Sequence, residues 1–335
     1  MANRLTIPGF VNAHSHAFQR ALRGRTEGGD FWAWRDAMLE LADRQTSERV
    51  RIDYEQVYGE MRGAGYTAVG EFHYLGFEQA LAAAEAAEAA GIRFVLLYVA
   101  YARGGLERFR QASPADYLNQ VENLREHGID VGLAPHSVRA CPPRWLAQIG
   151  RYAAEHELPL HIHADEQPRE IEDCIEEHGI RPIELLAMNG CLGPRTTIVH
   201  ATHADDAELD LLAQNGSRIC VCPTTEANLG DGYFPVERVL ERGIPICIGS
   251  DSNTRIDPLE ELRELDGVAR RSALRRDVIP LEALLRIGAD EGAASLGLEA
   301  WPSAEVDLEH RSLAGLDESV ARAALVFGCA ADVFV

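Results

Sequence analysis

PGFVNAHSH, residues 8–16, decides how the rest of the chain is read. The apolar pair Phe10 and Val11 leads into His14-Ser15-His16. Residues two apart in a strand point to the same side. His14 and His16 therefore aim two imidazoles at one point where a strand ends, and imidazole is the commonest metal-ligating side chain. A lone HxH pair is equally well explained by two hydrogen-bonded histidines in a turn. What else the chain delivers to the same place separates the two readings.

Seven more short apolar runs follow, at residues 67–73, 93–101, 131–136, 158–163, 196–200, 218–222 and 244–249. Between and after them lie segments with helical spacing or glycine stops, at 31–44, 53–64, 77–90, 116–127, 143–156, 171–178, 182–189, 205–214, 235–242, 258–271 and 281–287. Near-continuous hydrophobic runs belong to strands covered on both faces. Eight βα units predict a closed α/β (β/α)8 barrel over residues 8–299. An open doubly wound sheet is the alternative, weakened because no GxGxxG follows the first strand. Residues 300–335 change character, with short apolar pieces such as ALVFG and ADVFV that could pair as a small edge sheet.

The 335 residues are 46% hydrophobic, enough for one barrel. A net charge of −21 argues against nucleic acid and anionic membranes as partners. Lysine is absent, which forbids a carbamylated lysine bridging two metals. The seven cysteines are scattered without a CxxC, so they read as reduced core thiols. Neither a signal peptide nor a membrane span is evident, so the expected location is the cytoplasm.

Polar residues cluster at the predicted carboxyl ends of strands, where a barrel carries its chemistry. His14 and His16 end the first strand; Glu71, His73 and Tyr74 the second; His136 the fourth, with Arg139 beyond it. His161 and His163 end the fifth, with Glu166 just past them; His200 and His203 follow the sixth; Asp251 ends the eighth. Eight of the twelve histidines occupy such positions. His14, His16, one histidine of HIH and Asp251 make three imidazoles and a carboxylate, a set suited to zinc or another first-row divalent metal. Four ligands leave room for a water acidified enough to attack near neutral pH. Asp251 could instead cap the next helix, and Glu166 could be a helix N-terminal charge. Phe31, Trp32 and Trp34 either wall a pocket or pack a helix.

These residues resemble the amidohydrolase superfamily in its deaminase branch, on PGFVNAHSH, HIHADE, VHATH and GSDS. Within it the chain is similar to the N-formimino-L-glutamate deiminase family of histidine degradation. That resemblance rests on HSHAFQRALRG, FWAWRDAM, GYTAVGEFHY, HSVRA, HIHADEQPREIEDC, VHATHAD and TEANLGDGYFP. It implies a TIM barrel of the metal-dependent hydrolase type, with the family's flanking β-sandwich reduced to a remnant in residues 300–335. It further implies one divalent metal, zinc above all, on His14, His16, His163 and Asp251. Glu166 becomes the proton shuttle, His200 polarises the reacting centre, and Asp251 can accept the water's proton. Gln19, Arg35, Tyr74, His136 and Arg139 match positions that hold a glutamyl group. The implied reaction releases ammonia and leaves N-formyl-L-glutamate. The expected partner is a small carboxylate-bearing substrate, with a homodimer as a candidate assembly.

Two competing readings are a related deaminase acting on a purine, pyrimidine or triazine, and a metal-free barrel serving as a binding module. Arg35 and Arg139 favour a carboxylate over a flat neutral ring, because guanidinium pairs bidentately with carboxylate.

Overall fold

The computed structural model describes residues 3–335. Eight strands form one parallel sheet in chain order: β2 (Phe10–Ser15), β3 (Tyr66–His73), β4 (Arg93–Ala100), β5 (Val131–Pro135), β6 (Leu160–Ala164), β7 (Thr196–His200), β8 (Arg218–Val221) and β9 (Ile246–Ile248). Each matches one of the apolar runs. They are buried almost throughout because helices cover the outside and side chains fill the inside. The chain is a (β/α)8 barrel.

The first and last strands meet at the chemistry-bearing residues. Ser15 and Asp251 form an isolated parallel bridge. The His16 amide donates to the Asp251 carbonyl (2.8 Å), and the Asp251 amide to the His14 carbonyl (2.9 Å). A buried amide network reinforces this seam. Asn12 Nδ2 donates to Ser250 Oγ (2.6 Å), Ser250 Oγ to Asn253 Oδ1 (2.7 Å), and Asn253 Nδ2 to Ser15 Oγ (3.1 Å). Gly249 permits the close approach, since a Cβ there would lie 2.7 Å from the His14 carbonyl oxygen and 2.8 Å from its Cβ. Gly249→Ala is therefore expected to cost about 1–3 kcal/mol, the usual size of an overpacking penalty. Urea unfolding checks this, and a variant as stable as the parent would mean the seam relaxes freely.

Helices run α1 (Phe31–Asp43), α2 (Ser47–Gly63), α3 (Phe77–Ala90), α4 (Pro114–Glu126), α5 (Pro143–Glu155), α6 (Pro168–His178), α7 (Pro182–Met188) and α8 (Asp206–Asn215). They continue with α9 (Pro223–Leu229), α10 (Val236–Glu241), α11 (Pro258–Ala273), α12 (Leu281–Gly288), α13 (Asp290–Ser295) and α14 (Glu318–Gly328). The helix expected at 53–64 starts earlier, at Ser47, because the Thr46 side chain caps it. Three short helices, α9, α13 and α14, lie outside the predicted set.

The tail differs from its sequence reading. ALVFG is the end of α14, not a strand: Asp317 caps that helix, and Ala321, Leu325 and Val326 turn inward at helical spacing. Of ADVFV, only Phe334 bridges a strand, at Val306. The one strand in the tail, β10 (Ser303–Asp307), pairs antiparallel with β1 (Arg4–Pro8), which precedes the barrel. Among the described residues this pair is the one sheet besides the barrel. Among the described residues no helix is long and apolar enough to cross a membrane.

Candidate active site

The carboxyl ends of β2, β6 and β9 bring four donors together. One donor atom from each of His14, His16, His163 and Asp251 lies within 4.8 Å of all the others, and all four residues are buried. Of the HIH pair, His163 faces this point. His161 turns to the other side of β6, where its Nε2 donates to the Ser295 carbonyl (2.9 Å).

The donor chemistry fits a cation. His16 Nδ1 lies 3.0 Å from the Phe72 carbonyl and His163 Nδ1 3.0 Å from the His136 carbonyl. A carbonyl only accepts, so both rings carry their proton on Nδ1 and turn a bare Nε2 inward. Those nitrogens each lie 3.1 Å from His14 Nε2. Asp251 Oδ1 is 3.3 Å from His14 Nε2 and 3.1 Å from His16 Nε2. Burial holds His14 down to about 3, so its imidazole is neutral. Lone pairs this close repel unless a cation shares them, and tetrahedral bonds of about 2.0–2.1 Å put neighbouring donors roughly 3.3 Å apart. Asp251 does not cap the next helix; Asp257 caps α11 instead.

Glu166 and His200 stand beside this cluster, with Glu166 Oε1 3.7 Å from His200 Nε2. Glu166 precedes Gln167, the N-cap of α6, so it lies outside the helix. Burial pushes its carboxyl up to about 7, against the opposing pull of His200. Burial disfavours the charged His200 ring, but the Glu166 and Glu226 carboxylates outweigh it and raise the imidazole to about 10. Glu226 Oε1 accepts from His200 Nδ1 (3.2 Å) and from the Cys222 amide (2.9 Å). This buried glutamate on α9 escaped the sequence reading. Its only signal was position, just past the end of β8, where a carboxylate in PTTEANL looks like an exposed helical residue. Backbone strain gathers here too: Asp165 (φ 56°), His200 (φ 72°), Asp251 (φ 44°) and Asn253 (φ 55°) all adopt the left-handed region without being glycine.

A pocket open to solvent lies over the cluster. His16, His163, Glu166, His200 and Asp251 reach its floor, and Gln19, Arg35, Tyr74, His136 and Arg139 line it. Gln19 Nε2 donates to Tyr74 Oη (3.0 Å), leaving Gln19 Oε1 without a partner. Arg35, on α1, makes no ion pair among the described residues. Phe31 and Trp34 wall the pocket, whereas Trp32 packs under the Arg169 guanidinium, 4.7 Å from its ring centre. Tyr101 and Arg103 also line it and were not singled out from sequence. Of the strand-end histidines, His73 and His203 stay out: their Nε2 atoms face the Gly76 and Asp231 carbonyls. Cys220 and Cys222 pack with Cys247, Ala13 and Val199 in the barrel interior, and all seven cysteines are free and buried.

Residues 5–300 match the amidohydrolase family. This chain belongs to that family. The amidohydrolase is 39% identical to the formimidoylglutamate deiminase of Pseudomonas aeruginosa over 328 residues, covering 87% of this chain and 72% of that protein. It is 28% identical to the 5-methylthioadenosine/S-adenosylhomocysteine deaminase of Haloarcula marismortui over 303 residues, covering 88% and 69%. Among solved structures, an amidohydrolase from Brucella melitensis superposes with a TM-score of 0.87 at 31% identity, covering 98% of this chain and 84% of that one. An adenosine deaminase from Xanthomonas campestris with bound zinc shares the fold, with a TM-score of 0.89 at 23% identity, covering 99% and 78%. This amidohydrolase is thus a hydrolase acting on C–N bonds, with a buried His/Asp cluster that could hold a metal ion.

Proposed function

We propose that the chain hydrolyses N-formimino-L-glutamate to N-formyl-L-glutamate and ammonia, with one zinc ion held by His14, His16, His163 and Asp251. The observation that carries this reading is two guanidiniums, Arg35 and Arg139, lining a pocket whose floor is the metal cluster. A substrate with an amidine at one end and carboxylates at the other meets both. The 39% identity to a formimidoylglutamate deiminase supports the same choice.

A bound divalent metal supplies an acidified water and electrostatic stabilisation of the developing charge. The chain's own groups do the rest. Arg35 and Arg139 take the carboxylates, while Gln19, Tyr74 and His136 fix the connecting chain. Glu166, with its carboxyl near neutrality, accepts a proton from the attacking water and passes it to the leaving nitrogen. Asp251 can take the second proton. His200, kept protonated by the Glu166 and Glu226 carboxylates, presents Nε2–H to the reacting centre as charge develops.

Ammonia release from a panel of formiminoglutamate, guanine, cytosine, methylthioadenosine and an N-acyl amino acid tests the substrate. Formiminoglutamate should turn over fastest by far. A preference for a purine would favour the ring-deaminase reading, for which the aromatic walls Phe31, Trp34 and Tyr101 provide stacking surfaces.

Arg139→Ala should lower kcat/KM on formiminoglutamate by roughly 10- to 150-fold, the worth of a hydrogen bond to a charged group at about 1.5–3 kcal/mol. Its metal content should not change, because no ligand is touched. The net charge of −21 repels an anionic substrate, so a local cation is needed to hold one. Unchanged kinetics in this variant would remove Arg139 from the anchor.

A further inference from the structure

Arg139 lies just past the end of β5, in a short turn closed by the Ala140 and Cys141 amides on the Ser137 carbonyl (3.1 and 3.0 Å). Its backbone is held from one side: Arg103 Nε donates to the Arg139 carbonyl (2.8 Å), and Arg103 is itself fixed by a two-pronged pair with Glu177 on α6 (2.7 Å each). Its guanidinium is met from the other side by Glu170. Glu170 sits in the first turn of α6 with a fully buried side chain. Its Oε1 lies 3.5 Å from Arg139 Nε and has no hydrogen-bond partner among the described residues. Its Oε2 accepts the Glu166 amide (3.2 Å).

A carboxylate taken wholly out of water is expensive, and one backbone amide at 3.2 Å does not offset that cost. A helix start alone would be served by an exposed glutamate. The guanidinium is a planar fork of five donors. With its Nε edge facing Glu170 and no Nη hydrogen bond among the described residues, the outer edge of the fork is left to the pocket.

We propose that Glu170 is a positioning residue that aims the Arg139 fork and so sets the preference for carboxylate-bearing substrates. This rests on the reading of Arg139 as the substrate anchor. Glu170 never touches the substrate; it turns a flexible arm into a preorganised one, so its contribution shows in KM for ligands that use the arm.

The test compares N-formimino-L-glutamate with N-butylformamidine, which carries the amidine and no carboxylate, on the metal-loaded enzyme. Glu170→Ala should raise KM for formiminoglutamate by about tenfold, the loss from one misdirected charged hydrogen bond, with kcat within about threefold. Its kcat/KM for N-butylformamidine should stay within about threefold of the parent, since that ligand cannot use Arg139. Glu170→Gln keeps a single acceptor oxygen for the two donors, Arg139 Nε and the Glu166 amide, and should recover only part of the KM. Adding Glu170→Ala to Arg139→Ala should change nothing further. Should Glu170→Ala not fold, Glu170→Asp draws the carboxylate back by one methylene and should raise KM for formiminoglutamate alone. Equal losses on both substrates, or a loss that persists in the Arg139→Ala background, would assign Glu170 to helix capping and overturn the proposal. A parental KM in the Glu170 variants alongside an impaired Arg139→Ala would overturn it while sparing the anchor. A neutral Arg139→Ala would instead overturn the anchor reading, and the proposal with it.

Discussion

Glu166→Gln should keep its metal and lose roughly 10²–10⁴-fold in turnover, the usual contribution of a positioned general acid–base group. Glutamine matches the carboxyl in shape and still accepts a hydrogen bond, but it neither takes nor gives a proton. Glu166 is not among the four converging donors, so metal stoichiometry by elemental analysis should match the parent. The pH profile gives a second check. Glu166 must begin as a carboxylate to accept a proton from water, and its carboxyl titrates at about 7. Parental kcat/KM should therefore rise as pH passes upward through that region, and the rise should vanish in the variant. A variant that lost metal, or kept both rate and profile, would strike Glu166 from the proton relay.

His163→Ala should abolish metal binding and activity together. It removes one of the two imidazoles, His16 and His163, whose lone pair is fixed inward by a backbone carbonyl, and the remaining three donors leave an open coordination position. Dialysed parent should hold about one metal per chain and the variant close to none; a single four-donor set, and no lysine to bridge a pair, argue for one ion. The Tm offers a measurement apart from activity. Ligation of the native state raises the parent's Tm, by mass action. The variant's Tm should be the same with metal and with chelator. A variant that retained stoichiometric metal, or a parent that held two ions tightly, would break the assignment.

Much of this was readable because both signals are local. Barrel strands buried on two faces are apolar runs, and the polar residues that end them stand out against that background. His14, His16, His163 and Asp251 each lie at the carboxyl end of such a run or just past it. What escaped depends on contacts between distant segments. Glu226 looks like a surface residue until α9 turns it toward His200, and Glu170 looks like a helix-start charge until Arg139 arrives from another loop. The β1–β10 pair joins the two ends of the chain, so no neighbouring residue announces it. ALVFG misled because a short apolar run fits a strand as well as one face of an amphipathic helix.

The seam between β2 and β9 gives the metal a second consequence, in the order of assembly. Two of the proposed ligands stand at the end of the first strand of the barrel, and Asp251 lies just past the eighth. An ion held there would act as a removable cross-link between the two margins of the sheet, at the place where His14, His16 and Asp251 already share backbone hydrogen bonds. A nascent chain that ends before β9 offers only imidazoles from two strands. Full coordination waits for the last strand to dock, which makes metal retention a mark of a barrel that has closed.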